Sequence, residues 1–119
     1  MSVLNKAHKW IEVRPQGVYI APIDSYIDPV RPVRRALITH GHADHARAGH
    51  GEVVATPQTL DIMALRYGAG FTQKQHPIAY GESYTENGVQ LSMASAGHVL
   101  GSAQIIIEYD GIRLIAAGD

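Results

Sequence analysis

The feature that most constrains this chain is a dense run of side chains able to bind metal. Three imidazoles and one carboxylate fall within residues 40–45, directly after the apolar residues 36–38. A buried strand that ends in four potential ligands has few purely structural explanations. The run therefore predicts a metal site, with two ions rather than one. Its candidate ligands are His40, His42, Asp44 and His45.

The spacing divides this run between two ions. Residues two apart face the same side of an extended backbone, so His40 and His42 can serve one ion. Asp44 and His45 follow where the chain turns, and they can serve a second ion beside the first. The chain has no cysteine, which excludes thiolate ligands. Nitrogen and oxygen ligands suit zinc, and also manganese or iron.

Further ligands must come from elsewhere in the chain, because a catalytic zinc takes about three protein ligands and a paired site takes more. His98 follows a predicted strand and is flanked by Gly97 and Gly101, which permit close backbone approach. Asp119 follows Gly118 at a strand end, where its carboxylate could bridge two ions. The isolated histidines are expected to be ordinary surface or core residues: His8, His50 and His76.

The remaining pattern predicts strands around one helix. Thr56 and Pro57 suit an N-cap and the first helical position, and an apolar stripe through Leu60, Met63, Ala64 and Tyr67 follows. Gly68 and Gly70 suit the end of that helix. The Asn87-Gly88 and Asp110-Gly111 dipeptides predict hairpins. Strands are predicted at residues 18–20, 26–27, 35–39, 52–55, 89–93, 105–107 and 112–117. The expected fold class is α/β or α+β, a sheet packed under helices.

Bulk composition narrows the class of protein. The chain has 119 residues, 45% of them hydrophobic, which fits one small domain or part of a larger one. A formal net charge of -1 argues against a simple electrostatic DNA-binding protein. The N-terminal residues do not resemble a signal peptide, and no apolar run is long enough for a membrane span. A soluble cytoplasmic protein is expected, and the abrupt end of the last strand suggests the front part of a longer protein.

The order of these motifs resembles the metallo-β-lactamase superfamily: a His-x-His-x-Asp-His run, then Gly-His98, then Gly-Asp119. The segment 96–102 is similar to the third motif of the β-CASP nucleases within that superfamily. The opening residues 17–19, 26–29 and 34–36, with 42–47 and 49–51, resemble the bacterial ligase-associated DNA exonucleases. The similarity covers nearly the whole chain.

This resemblance implies a four-layer αβ/βα sandwich, of which residues 1–119 would be the N-terminal part, without the β-CASP and C-terminal parts. It implies that His40, His42 and His98 hold one zinc ion. Asp44 and His45 would hold a second, and Asp119 would bridge the two, with Mn²⁺ as an alternative metal. Asp44 and Asp119 would be the catalytic carboxylates. On its own, a piece of this length is expected to be inactive.

The implied activity is hydrolysis of phosphodiester bonds in DNA by a metal-dependent exonuclease, in DNA repair. A DNA ligase and a helicase are the implied partners, and no membrane is involved. Arginines near the run could contact backbone phosphates. Those arginines are Arg31, Arg34, Arg35 and Arg47.

Three alternatives remain open. The metal motifs barely separate DNA from RNA cleavage, so an RNA-processing β-CASP ribonuclease is the second hypothesis. A small-molecule metallo-hydrolase acting on thioesters or lactams is the third. The fourth is an inert polypeptide, because strands without their full complement of partners would expose apolar surface and unpaired edges.

Overall fold

The computed structural model describes residues 10–97 and 99–117. Within them the chain forms ten strands, one α-helix and one short 3-10 helix. The elements in chain order are β1 (Ile11–Arg14), β2 (Gly17–Ile20), the 3-10 helix (Ala21–Ile23), β3 (Ser25–Ile27), β4 (Arg35–Leu37), β5 (Glu52–Ala55), α1 (Pro57–Tyr67), β6 (Lys74–Pro77), β7 (Ser83–Glu86), β8 (Val89–Ser95), β9 (Ala103–Tyr109) and β10 (Ile112–Ala116).

The strands form two sheets. The first has six strands in the order β1-β2-β3-β4-β5-β6, and the second has four in the order β10-β9-β8-β7. Pairing in the first sheet is antiparallel from β1 to β3 and parallel from β3 to β6. The second sheet is antiparallel throughout. Parallel strands place their carboxyl ends at one edge, and this edge of the first sheet carries the candidate site.

The central strands β4 and β5 are covered on both faces, and all of their residues after Arg35 and Glu52 are apolar and buried. Leu37 and Val54 point into a core between the two sheets, whereas Ala36 and Val53 point towards α1. Strands covered on both faces show this continuous apolar pattern rather than alternation. The described chain is therefore layered as helix, sheet and sheet, which confirms the expected α/β (α+β) class.

Helix α1 starts and ends where the sequence predicts. Thr56 is the N-cap, and its Oγ1 accepts a hydrogen bond from the Thr59 amide at 3.3 Å. Pro57 occupies the first turn, where its missing N–H costs nothing. Gly68 closes the helix with a φ of 93°, and its amide donates to the Ala64 carbonyl. No helix among the described residues has the length and apolarity needed to cross a bilayer.

Both predicted hairpins are confirmed. Asn87 and Gly88 have φ values of 52° and 80°, and Asp110 and Gly111 have 50° and 76°. Two successive positive φ angles define the type I′ turn that suits the twist of paired strands. The strands predicted from the sequence do not include β1 and β6, the edge strands of the first sheet, or β7, an edge strand of the second. β6 has no apolar alternation, and in β1 the alternation of Ile11 and Val13 with charged residues spans only four positions.

Arg35 lies in a buried ion-pair network, which contradicts its predicted contact with phosphate. Only 3% of its side chain is exposed, and its Nη1 lies 2.6 Å from Glu86 Oε2 on the second sheet. Its Nε lies 3.5 Å from Glu52 Oε1. Burial opposes ionisation of Glu86, but hydrogen bonds from Tyr84 and Arg35 hold its pKa below the usual value. Arg35 begins β4, whereas the histidine run follows the end of that strand.

Substitution of Arg35 by methionine is expected to destabilise the protein strongly. The change leaves the Glu52 and Glu86 carboxylates without their shared cation, and breaking a buried pair in this way costs about 3 kcal/mol or more. Urea denaturation would measure the loss. Arg113→Met, at an exposed position of β10, is the matched control and should change the free energy of unfolding by less than about 0.5 kcal/mol. Equal losses in the two variants would contradict the role of the network.

His50 is a second buried polar side chain. It is 1% exposed, and its Nδ1 accepts a hydrogen bond from the Val33 amide at 3.2 Å. Desolvation by burial lowers the pKa of this imidazole. The folded state therefore favours neutral His50, in agreement with the expectation that this histidine is a core residue.

The lowered pKa predicts a loss of stability in acid. Above the pKa of an unfolded histidine, about 6.5, both states hold His50 neutral and no penalty arises. Below it, the unfolded state takes up a proton that the folded state resists, so stability falls by at most about 1.4 kcal/mol per pH unit for this one group. His50→Asn keeps an acceptor near Nδ1 without titrating. Urea unfolding between pH 7.5 and 5.5 should show a shallower loss in the variant, and parallel pH profiles would contradict the assignment.

Candidate metal centre

The site begins where two parallel strands end. Asp28 directly follows β3, and Thr39 and His40 follow the neighbouring β4. The Asp28 amide donates to the Leu37 carbonyl at 2.9 Å, which extends the parallel pairing by one step. In open sheets of this kind, ligands bind beyond the carboxyl ends of the strands. The strand pairing therefore places a carboxylate beside the start of the histidine run.

Asp28 joins the two strand ends through both of its oxygens. Its Oδ1 accepts the Thr39 amide at 2.8 Å, and its Oδ2 accepts the Thr39 hydroxyl at 2.6 Å. The same Oδ2 lies 2.9 Å from Nδ1 of His45. The backbone of Asp28 has a φ of 42°, which aspartate tolerates better than most residues. One carboxylate thus fixes the residue before His40 and the last histidine of the run.

These contacts set the tautomers of two histidines. The single Thr39 hydroxyl proton is donated to Asp28, so the Thr39 oxygen must accept from Nδ1–H of His40, which lies 2.9 Å away. A carboxylate can only accept, so Nδ1 of His45 also carries a proton. In the neutral form of each ring the lone pair then lies on Nε2. Histidine ligands of metals are commonly oriented in this way through the second ring nitrogen.

The rest of the run lies around these two rings. His40 is 1% exposed, and its ring centroid lies 4.9 Å from that of His42 and 4.3 Å from that of His45. The amides of His45 and Ala46 both donate to the His42 carbonyl, which makes the turn that brings the ends of the run together. The Asp44 carboxylate is 72% exposed and lies 3.5 Å from Nε2 of His45. The structure thus places all four side chains of the run in one cluster. Asp44 is on the side of the cluster that faces solvent.

The loop between β8 and β9 also lies beside the histidine run. The Ala103 amide donates to the Thr39 carbonyl at 2.7 Å, so β9 begins beside the residue that precedes His40. The Ala96 amide donates to the Ser102 carbonyl at 3.1 Å and closes the loop between β8 and β9. The sequence places His98 in this loop. His98 and Asp119 themselves lie outside the described residues, so their roles as ligands stay predictions.

Asp28 is the residue that sequence reasoning did not single out as part of the site. Ligand atoms of Asp28, His40 and His45 lie within 4.8 Å of one another, which is close enough to surround one ion. Both Asp28 oxygens are already engaged by Thr39 and His45, so an orienting role fits this carboxylate better than direct ligation. Its position in the sequence could have identified it. An acid that directly follows a parallel strand reaches the same sheet edge as the histidines that follow the neighbouring strand.

No family model matches this chain. An RNase J-like protein from Methanocaldococcus jannaschii is 26% identical over 108 residues, covering 75% of this chain and 26% of the relative. Cleavage and polyadenylation specificity factor subunit 3 from Dictyostelium discoideum is 34% identical over 47 residues, covering 40% of this chain and 6% of that protein. The chain therefore spans at most about a quarter of the sequence relatives it matches.

Solved structures match over most of the described chain. A variant of a metallo-β-lactamase from Cronobacter sakazakii superposes with a TM-score of 0.62 and 21% identity, covering 90% of this chain and 55% of that protein. Zn²⁺-bound PqqB from Methylobacterium extorquens superposes with a TM-score of 0.52 and 17% identity, covering 87% of this chain and 46% of that one. The chain has the metallo-β-lactamase fold. The sequence relatives are consistent with that superfamily but leave the ligase-associated group as a proposal.

Within the metallo-β-lactamase fold, the donor set of the cluster fits a divalent cation. The described ligands are imidazole nitrogens and a carboxylate, which suit zinc or manganese. The tautomers set by Asp28 and Thr39 leave Nε2 of His40 and His45 as the basic nitrogens. His42 and Asp44 adjoin these rings and can complete a coordination sphere.

Asp28→Asn is expected to weaken metal binding by about 10- to 100-fold. The amide nitrogen that replaces one oxygen cannot accept from Thr39 or His45, so both imidazoles lose their fixed orientation. Zinc titration against a chromophoric chelator would measure the affinity. Asp110→Asn is the matched control, because Asp110 also has a positive φ of 50° but lies in the exposed β9–β10 turn. Unchanged zinc affinity in Asp28→Asn would contradict the orienting role.

Proposed function

We propose that this chain forms the metal-binding part of a metal-dependent DNA exonuclease with two zinc ions. The observation that carries the proposal is the oriented histidine cluster at the carboxyl edge of a metallo-β-lactamase fold. The opening residues, which resemble the ligase-associated exonucleases, favour DNA as the substrate. In this proposal His98 and Asp119 complete the ligand set.

The residues of the cluster have separate roles in phosphodiester hydrolysis. His40 and His45 bind through Nε2, and Asp28 and Thr39 hold those rings in place. Asp44 lies on the solvent side, where its carboxylate can orient an attacking water molecule. Bound divalent ions would supply a more acidic water and would stabilise negative charge on the phosphoryl oxygens. Asp119 is the second proposed catalytic carboxylate.

Two of the four arginines expected to contact the phosphate backbone are engaged within the protein. Arg35 is buried in its ion pairs, as described above. Arg34 is exposed, but its Nε lies 2.6 Å from Asp24 Oδ2, and its Nη2 donates to the Ile23 and Asp24 carbonyls. Arg31 and Arg47 therefore remain the proposed phosphate contacts on this part of the protein. A DNA ligase and a helicase remain the proposed partners.

An RNA-processing nuclease is the second candidate, and a specific observation favours it. Both sequence relatives carry names that refer to RNA processing, an RNase J-like protein and a cleavage and polyadenylation specificity factor subunit. The same cluster would serve either nucleic acid, because phosphodiester chemistry is shared. RNA selectivity would require contacts to the 2′-hydroxyl.

Matched oligomers would separate these candidates. The full-length protein, loaded with zinc or manganese, is incubated with linear DNA, covalently closed DNA and RNA of the same sequence. We expect degradation of linear DNA only, abolished by a chelator. The double variant His40→Ala/His42→Ala should lower the rate by at least about a hundredfold.

The control is His76→Gln, a histidine on β6 outside the cluster, which should retain the rate. Cleavage of closed DNA would contradict the exonuclease assignment, and preferred cleavage of RNA would favour the second candidate. Turnover of a thioester or lactam with nucleic acid left intact would instead identify a small-molecule hydrolase.

A further inference from the structure

Helix α1 contacts both loops of the candidate metal centre, one near each of its ends. The first loop, residues 39–46, carries the histidine run. The second loop joins β8 to β9, and its described residues are 96–97 and 99–102. Neither set of contacts is needed to form the helix, because backbone bonds and the Thr56 cap already account for it. The contacts are instead with the backbone of the loops.

At its C-terminal end α1 holds the first loop at two points. Arg66 Nη1 donates to the Gly41 carbonyl at 2.5 Å, and the Tyr67 hydroxyl donates to the Ala46 carbonyl at 2.9 Å. Gly41 lies between His40 and His42, so the carbonyl that Arg66 binds belongs to the peptide bond that precedes the candidate ligand His42. Both donor residues are otherwise exposed.

At its N-terminal end α1 holds the second loop through one carbonyl. The Gly101 oxygen accepts from Thr56 Oγ1 at 2.6 Å and from Thr59 Oγ1 at 3.0 Å. Both threonine side chains are fully buried. A buried carbonyl with two hydroxyl donors is a fixed point, because the loss of either donor leaves a polar group less well satisfied.

Each loop meets the helix through a glycine, and the close approach requires that residue. A Cβ atom on Gly41 would lie 2.8 Å from Ile62 Cγ2. A Cβ atom on Gly101 would lie 2.7 Å from the Thr59 amide nitrogen, and Gly101 also has a φ of 82°. Both loops are therefore pressed against the same helix, each at the point where it accepts a side-chain hydrogen bond.

We propose that α1 positions the metal centre: Arg66 fixes the histidine run and Thr59 fixes Gly101 of the second loop, so that the run keeps its position beside the loop whose sequence includes the proposed ligand His98. This inference rests on the proposed metal-dependent function. Arg66 and Thr59 are positioning residues that act through the loop backbones. Neither residue belongs to the histidine run or to the proposed ligand set.

The test measures metal affinity in the full-length protein, apart from any activity. Arg66→Met and Thr59→Val each remove one donor with little change in volume. Zn²⁺ affinity is measured against a chromophoric chelator, and the visible spectrum of bound Co²⁺ reports the ligand geometry. We expect each variant to lose about tenfold in zinc affinity and to alter the cobalt spectrum.

Conservative variants separate positioning from simple stability. Arg66→Lys and Thr59→Ser keep a donor and should recover most of the affinity, whereas Arg113→Met, near the far end of the second sheet, should bind zinc as the unaltered protein does. The melting temperature of each metal-free variant is recorded alongside. Lost affinity with an unchanged melting temperature, restored by Lys or Ser, supports positioning.

Two results would overturn the inference, and they are distinguishable. If the unaltered protein binds zinc and both donor variants bind it equally well, or lose affinity only in step with their melting temperature, α1 does not position the site. If the unaltered protein itself binds no zinc or cobalt, the proposed function fails, and the positioning inference fails with it.

Discussion

The shared carboxylate of Asp28 is the interaction on which the candidate site depends. It receives three hydrogen bonds, two from Thr39 and one from His45, and so connects the end of β3 to both ends of the histidine run. That connection exists only because β3 and β4 pair in parallel and end at the same edge. The same bonds decide which nitrogen of His40 carries a proton. Sheet topology therefore favours one neutral tautomer of His40 and of His45, through one side chain.

Packing explains how a strand as short as β4 can hold the histidine run in place. β4 has only three residues, yet all of them are buried, and the first is an arginine whose charge is matched by glutamates from both sheets. The opposite end of β4 leads into the loop that Arg66 and Gly41 hold against α1. The strand is thus fixed at one end by ion pairs between the sheets and at the other by contacts with the helix. A rigid base of this kind suits ligands whose spacing has to be maintained.

The sequence predicted local features well where one residue type has one strong structural use. Thr56, Pro57 and Gly68 marked the helix ends, and the Asn87-Gly88 dipeptide marked a hairpin, because each of these residues favours particular backbone angles. Edge strands β1, β6 and β7 escaped prediction because they are four residues long and mostly exposed, so any apolar alternation in them is short or absent. The phosphate contact predicted for Arg35 was wrong. A charged residue close to a ligand run suggests such a contact, whereas the burial of Arg35 depends on Glu52 and Glu86, which lie 17 and 51 residues away in the sequence.

The charges around the cluster bear on both the proposed metal binding and the proposed phosphodiester substrate. With neutral imidazoles, Asp28 and Asp44 give this edge of the sheet negative charge, and the chain as a whole carries a formal charge of -1. A phosphodiester is also anionic, so these carboxylates alone would repel it. Arg34 and Arg35 offset little of this repulsion, because both are engaged with acidic partners within the protein. Divalent cations in the cluster would reverse the sign of the local field. Substrate binding and catalysis at this site would then depend on the same ions, which makes metal affinity the property most directly linked to function.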